Sequence, residues 1–398
     1  MGDASSGAPA SSQGEAELSP PHESLARLFL RFLRFGALAW GGPVAQIGML
    51  RQELVDEERW ISPARFNRVL AVYQVLPGPE AHELCVYFGS RARGRIGGLL
   101  AGLGFMLPGF VLMFALSVAY VQFDLRASAL AAAFAGCQPA VVALIVRAVH
   151  RIGSHALHDR WLLSIAALAA IATGVGASFA VVLPVAGLAY VAARGAAPGA
   201  SHALAFIPLA ASAAPVTSVL VPSVCALFVT GLRSGLLTFG GAYTVIPFLR
   251  ADAVGPAGWM TDAQFLDGLA LSGILPAPLV IFATFVGYLG AGAAGALALT
   301  AGVFLPAFAF TLIGHQWVER LVEQRRTHAL LDGITAGVVG LIAVTALSLA
   351  RETLTSRPTV ATVAIFAAAL FAAFRWKAKT AVVWIDAGAG LAGALLLD

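Results

Sequence analysis

Charge is what this sequence has least of. Asp, Glu, Lys and Arg make up 12% of its 398 residues against 59% hydrophobic, and mean hydropathy is +0.83. A soluble domain carries about a quarter charged residues, so a water-exposed globular fold is excluded. Cysteine is nearly absent. Cys85, Cys137 and Cys225 are scattered without metal-ligand spacing, and neither a disulfide framework nor a metal site is expected. Short segments of alternating hydrophobicity are missing, which excludes a membrane β-barrel. The start of the chain has no basic flank, short apolar core or cleavage site. Residues 1–23 are small, polar and partly acidic, and a disordered cytoplasmic tail is expected there. No HExxH, GxSxG or Walker A pattern occurs, so neither a hydrolase nor an ATP-driven pump is expected, and no cofactor is implied.

What the chain does have is long apolar runs. Residues 96–121 are 26 positions without a charge and 162–193 are 32. At about 1.5 Å per residue the first run reaches about 39 Å, beyond a hydrocarbon core of about 30 Å. The second accommodates two short spans turning at Gly174-Val175-Gly176. The net charge of +4 comes from arginines set between such runs. That placement reads as membrane topology rather than nucleic-acid binding. The expected fold is an all-α polytopic membrane protein.

The chain also repeats itself. Trp40 and Phe239, Trp60 and Trp259, Phe66 and Phe265, Pro77 and Pro276, and Pro79 and Pro278 are each separated by 199 positions. Later matches carry small slips: Leu107-Pro108 with Leu305-Pro306, and Gly136 with Gly333. The domain reading is a first repeat over 24–194, a linker or extra span over 195–223, and a second repeat over 224–398. About 12–13 spans are expected, with broken or re-entrant helices at the Gly/Pro motifs. Matching loops differ in charge. Arg91, Arg93 and Arg95 correspond to uncharged 288–294, whereas the near-neutral 122–128 corresponds to a segment with Arg320, Arg325 and Arg326. The positive-inside rule places matching loops on opposite faces, so the repeats are expected to be inverted.

The chemistry is expected at the breaks. A Gly/Pro interruption at membrane depth is tolerated only against protein or a watery cavity. The helix that restarts after it presents free N–H groups and a positive dipole end, which attract anions. Gly41, Gly42, Pro43, Pro77, Gly78, Pro79 and Glu80 supply these features in the first repeat, and Gly240, Gly241, Pro276 and Pro278 in the second. Arg34 and Arg233 each precede a glycine pair by seven residues. At depth they would supply charge to an oxyanion; the alternative is that they snorkel to an interface, as Arg31 one turn away especially could. Glu80, His82, Glu83 and Asp386 are candidates for coupling transport to an ion; Glu80 at a helix start could instead offset the dipole. His150, His155, His158 and Asp159 lie among arginines, which favours a solvated loop over a metal site. Two GxGxxG strings, 290–295 and 388–393, lack the strand–turn–helix setting of nucleotide binding. Gly98, Gly102, Gly333 and Gly337 read as close helix packing.

The ordered set Trp40-Gly-Gly-Pro43, Arg59-Trp60-Ile61-Ser62, Leu76-Pro-Gly-Pro-Glu80 and Leu107-Pro108-Gly109 resembles the chromate transporter (CHR) family. Phe239-Gly-Gly241, Trp259-Met260, Leu275-Pro276, Pro278 and 283–288 resemble that family's second domain. The resemblance covers about 28–397, as in its long two-domain branch. It implies a secondary carrier in the bacterial inner membrane that exports chromate and confers resistance. Sulfate, of like charge and shape, is the expected competitor. The resemblance leaves open the coupling source, proton or membrane potential, and a homo-oligomer. Other readings are a carrier of sulfate or another oxyanion, a passive anion channel, and a chromate-reducing enzyme that no motif supports. The second break departs from the family, reading Pro-Ala-Pro where Pro-Gly-Pro is usual.

Overall fold

The structure is a computed structural model describing residues 20–126, 130–194, 222–255, 258–313, 325–356, 358–376, 378 and 380–397. Most of the expected tail and of the 195–223 linker lies outside these residues. Among the described residues the chain is helical with no strand. The first repeat contributes α1 (Leu25–Ala37), α2 (Gly42–Arg51, continuing as a π-helical turn Gln52–Glu57), α3 (Pro63–Val75), α4 (Glu80–Gln122), α5 (Ala131–Ala156), α6 (Arg160–Gly174) and α7 (Phe179–Ala193). The second contributes α8 (Val224–Leu236), α9 (Val245–Ala253), α10 (Asp262–Gly273), α11 (Ala283–Leu312, entered through a 3-10 turn Leu279–Phe282), α12 (Arg325–Ser356), α13 (Val360–Arg375) and α14 (Ala381–Leu396).

The correspondence is helix for helix, and its local causes repeat too. Ser24 accepts from the Arg27 N–H to start α1, and Ser223 accepts from the Ala226 N–H to start α8. Ser62 caps α3, while Thr261 and Gln264 form a full capping box on α10. Each cap satisfies a backbone donor that the first helical turn leaves unpaired. Glycines at positive φ then turn the chain out of α1 and α8: Gly41 and Gly42 at 89° and 77°, Gly240 and Gly241 at 77° and 119°.

Four described helical segments are long and apolar enough to cross a membrane alone: Glu80–Gln122, Ala131–Ala156, Leu279–Leu312 and His328–Ser356. Five further apolar helices, α6, α7, α8, α13 and α14, have 13 to 16 residues.

Within α4 the chain reverses at Arg93 and Gly94, the latter at φ 60° and ψ −158°. Residues 80–92 therefore fold back on 95–122, with glycine on glycine: a Cβ at Gly89 would lie 2.9 Å from the Gly97 carbonyl carbon. The same reversal occurs in α11 at Ala291 and Gly292 (φ 57°, ψ −147°), with Gly287 against Gly295. The rings of Trp60 and Phe66 meet Phe88 at 6.1 and 6.4 Å, so the start of α3 lies beside the end of the returning arm. Thus α3 and 80–92 are two legs of a hairpin with Pro77-Gly78-Pro79 at its tip. A 13-residue leg is about 20 Å long, too short to cross, which makes the hairpin re-entrant. Prolines set this tip, because Pro77 and Pro79 cannot donate to a helix and restrict the residue before them.

Equivalent helices of the two repeats run antiparallel. A Cβ at Gly98 would lie 2.6 Å from Leu312, and one at Gly102 would lie 2.8 Å from Phe308 Cζ, so residues early in the long arm of α4 meet residues late in that of α11. Two equivalent spans crossing one bilayer in opposite directions are what an inverted repeat requires. The C-terminal parts are exchanged between repeats. α5 packs on α13 and α14, and α12 on α6 and α7. Close glycine contacts mark both seams, Gly136 to Gly393 and Gly333 to Gly187. The discounted string 388–393 thus serves helix packing.

The core is less symmetric. Leu28, Phe32, Phe35, Trp60, Phe66 and Phe88 close a separate cluster over α1–α4. Their counterparts Leu227 and Phe265 join the large central cluster shared by both repeats, and Trp259 packs against it.

Candidate functional site

Each hairpin tip rests on a long helix of the opposite repeat. Pro108 and Gly109 lie halfway along 95–122, and the tip residue Ala277 sits against Gly109. Ala307, the counterpart of Gly109, sits against Gly78: a Cβ at Gly78 would lie 3.2 Å from that of Ala307. Each tip is therefore seated on the long helix of the opposite repeat, beside its inner proline, Pro108 or Pro306.

The first tip also joins the second repeat's glycine turn. The Gly78 N–H donates to the Thr238 carbonyl at 2.9 Å, and Pro77 bridges Phe239 in antiparallel fashion. Glu80, first residue of the returning helix, points at this turn; a Cβ at Gly241 would lie 3.7 Å from Glu80 Oε1. Glu83 lies one turn on, folded back over the tip, with its carboxyl carbon 3.0 Å from a Cβ built at Gly78. Both carboxylates are buried. Among the described residues Glu80 Oε2 and both Glu83 oxygens have no hydrogen-bond partner. His82 is fully buried, edge-on between Phe304 and Phe308 at 5.0 and 4.6 Å. The structure thus brings together Pro77, Gly78, Pro79, Glu80, Glu83, Gly240 and Gly241 at the centre, with Pro276 and Pro278 on the facing tip.

Gly41, Gly42 and Pro43 have a different setting. They are half-exposed, and nothing lies within 4 Å of a Cβ built at Gly42. The arginines are also engaged elsewhere. Arg34 pairs with Glu53 and Arg233 with Asp252. Both pairs span 19 positions, and they match at the 199 spacing. The Arg34 side chain is 54% exposed and the Arg233 side chain 10%. Arg31 is held by Glu23, Glu53 and Glu58. The arginines therefore brace the α1–α2 and α8–α9 turns, and reach an anion only by releasing these acids.

Asp386 lies apart, on α14, and Asp159 is used structurally. Asp159 caps α6 through the Leu162 N–H at 2.9 Å and accepts from Tyr190 at 2.6 Å and Arg194 at 3.3 Å. Burial works against its charge, but these donors outweigh it and hold the carboxyl below its ordinary value.

Asp267 was not among the sequence candidates. It is fully buried on α10, accepting from Tyr120 at 2.8 Å and Gln138 at 2.9 Å, with Arg126 at 3.4 Å. These partners come from α4, α5 and the turn after α4, so the network ties the second hairpin to the first repeat. A weak signal was present: Asp267 is an acid on the inner face of an otherwise apolar helix stretch. Its counterpart, Arg68 on α3, is exposed.

Comparison with known proteins agrees with the two-fold organisation. The chromate transporter family matches residues 26–195 and again 225–394. The chromate transport protein of Pseudomonas aeruginosa is 58% identical over 393 residues, covering 96% of this chain and 94% of that protein. The chromate transport protein of Cupriavidus metallidurans is 31% identical over 379 residues, covering 94% and 93%. A probable chromate transport protein of Synechococcus elongatus is 33% identical over 349 residues, covering 85% and 88%. No solved structure matches the chain.

Proposed function

This chain belongs to the chromate transporter family, and on that premise we propose that it exports chromate, a divalent tetrahedral oxyanion, across the bacterial inner membrane by alternating access. It is a multi-pass membrane transporter, a class that is not enzymatic. The observation that carries the proposal is the seating of each re-entrant tip on the long helix of the opposite repeat, Ala277 on Gly109 and Gly78 on Ala307. Helix starts at that depth offer unpaired N–H groups to an anion without the water that would otherwise compete. In the proposal Pro77–Glu80 and Pro276–Pro278 frame the oxyanion, and Gly240 and Gly241 let backbone approach it. After the conformational exchange Gly41, Gly42 and Pro43 take the place of the second pair. Arg34 and Arg233 keep the turns in place and add positive potential. Sulfate competes for the same site.

The acids restrict how this works. A dianion about 4 Å from an ionised carboxylate is repelled by roughly 8 kcal/mol at an effective dielectric near 20. Glu80 and Glu83 are therefore uncharged or turned away while the oxyanion is bound, which makes them candidates for proton coupling; His82 is a further candidate, its ring lying apart between Phe304 and Phe308.

The test is counterflow in proteoliposomes: internal unlabelled chromate should drive uptake of labelled chromate, and sulfate should compete. A channel would give flux without counterflow, and that result would overturn the carrier reading. Arg34→Ala and Arg233→Ala should lower transport in folded protein. Full transport by both would remove the arginines from the proposal.

A further inference from the structure

One buried acid lies outside the site between the tips. Asp386, on α14, is 1% exposed. It lines a cavity of about 20 Å³ with Val141, Ile145, Tyr243, Gly273 and Leu279 among its walls. That volume holds about one water molecule. Among the described residues neither carboxylate oxygen of Asp386 has a hydrogen-bond partner, and no ion pair reaches it. Its backbone carbonyl is engaged separately, accepting from the Cys137 thiol at 3.4 Å.

Position makes this acid informative. Gly273 ends α10, the inward leg of the second hairpin, and Leu279 begins the outward leg. The Asp386 carboxyl touches Gly273 so closely that a Cβ there would collide with it. Asp386 therefore wedges between both legs of the hairpin just behind its tip. Leu279 is the counterpart of Glu80, at the 199 spacing. The first hairpin carries its acid on the tip, and the second has its acid supplied from α14.

The surroundings limit what the cavity can bind. From α5 it is faced by Val141, Leu144 and Ile145, with Cys137 one turn before Val141 and with Arg147 and Arg151 about one and two turns past Leu144. From the turn before α9 it is faced by Tyr243. On α10 the nearest charge is Asp267, already held by Tyr120, Gln138 and Arg126. The walls from α9, the second tip and α14 itself are apolar. One carboxylate and one phenol fall well short of the six or more oxygens that a hard metal ion requires. An ionised carboxylate without a partner is costly at this depth. The ligand that fits is a proton.

We propose that Asp386 is a proton-coupling site of the transport cycle. It binds a proton from water on one side while wedged against the second hairpin, and returns it to water on the other when that hairpin moves. The inference rests on the transporter reading, and the experiment separates the two. In proteoliposomes, wild-type protein is expected to show chromate counterflow without a pH gradient and net accumulation when a gradient is imposed. Asp386→Asn should keep counterflow at the wild-type rate, while its accumulation falls to the no-gradient level; Asp386→Glu should restore part of it. Accumulation by Asp386→Asn equal to wild type overturns the proposal. Absence of counterflow in wild type overturns the transporter reading instead. A second measurement stands independently of transport and of the folding of any variant. A lipid-soluble carbodiimide modifies protonated carboxyls in apolar settings, and peptide mapping of the wild-type protein should find Asp386 modified, less so as pH rises. An unmodified Asp386, or modification independent of pH, overturns the proposal.

Discussion

Substituting Gly109 by alanine tests whether the two tips are seated as described. Gly109 lies mid-helix, and a Cβ there would fall closer than 3.0 Å to that of Ala277, nearer than real Cβ atoms approach. Carbon atoms settle at about 3.5–4.0 Å, so the second tip would have to retreat by about 1 Å. Retreat is opposed by Ile281, whose Cγ1 would lie 3.6 Å from the same Cβ, and by the buried residues Val280 and Phe282. Overpacking of this kind costs about 1–3 kcal/mol. Alanine gives back roughly 1 kcal/mol of helix propensity, so Gly109→Ala alone should lower stability by about 0–2 kcal/mol and reduce transport more than stability.

The informative quantity is the coupling with Ala277→Gly. The first tip already has the opposite arrangement, Gly78 facing Ala307. Gly109→Ala with Ala277→Gly therefore copies a pairing the fold accommodates on its other side. Propensity terms cancel in a double-mutant cycle, leaving an expected coupling of about 1–3 kcal/mol. Thermal unfolding in detergent and counterflow in proteoliposomes would both be measured. The double variant should recover most of what Gly109→Ala loses. A double variant no better than the single one, or a Gly109→Ala protein with wild-type stability and transport, refutes the seating of the tips.

Other predictions follow from the same geometry. Asp252→Asn leaves Arg233 at 10% exposure without its acid and should cost up to about 3 kcal/mol in thermal stability, whereas Glu53→Gln beside the exposed Arg34 should cost about 0–1 kcal/mol. Because the Asp159 carboxyl is held below its ordinary value of 3.8, its contribution is fully present above that value. It is lost as pH falls through the folded-state value; hydrogen-exchange protection at the start of α6, relative to the free-chain rate at each pH, should fall on acidification, and Asp159→Asn should abolish that acid dependence. Arg93→Cys and Gly292→Cys, at matching turns of inverted repeats, should react with an impermeant maleimide from opposite membrane faces, and labelling from one face would contradict the antiparallel arrangement.

The repeat was legible because its markers are residues whose backbone behaviour is nearly independent of context. Gly41-Gly42 and Gly240-Gly241 take positive φ in both copies, and the paired prolines break both hairpins. The fold class was legible from charge-free runs. The exchange of α5 and α12 between repeats was not, since it depends on which apolar faces meet, and Ala-rich helices of similar length offer no distinguishing pattern. The arginines at 34 and 233 were recognised as a pair, yet their acids at 53 and 252 carry the same 199 spacing and reassign them to bracing. Asp267 escaped notice because its partners lie at 120, 126 and 138, more than a hundred positions away. The Pro-Ala-Pro departure at 276–278 also could not be weighed from sequence. Its explanation is a glycine at 109 on another helix, and Ala277 is not among the described residues with positive φ.

Two copies of one sequence plan occupy unequal surroundings here, and the inequality has a direction. α10 is buried over 265–272 and locked through Asp267, while α3 exposes Asn67, Arg68, Ala71 and Gln74. The second glycine turn is packed against Thr335, Ile152 and Glu80, while Gly42 of the first faces open space. For inverted repeats, exchanging the two environments generates the conformation open to the opposite face. In the proposed cycle that exchange would have Asp267 give up Tyr120, Gln138 and Arg126 and would bring Arg68 toward the interior in its stead. Under the alternating-access proposal a buried acid would then be replaced by a buried base. The two end states would differ electrostatically although the folds are alike, and the proposed cycle would have unequal halves.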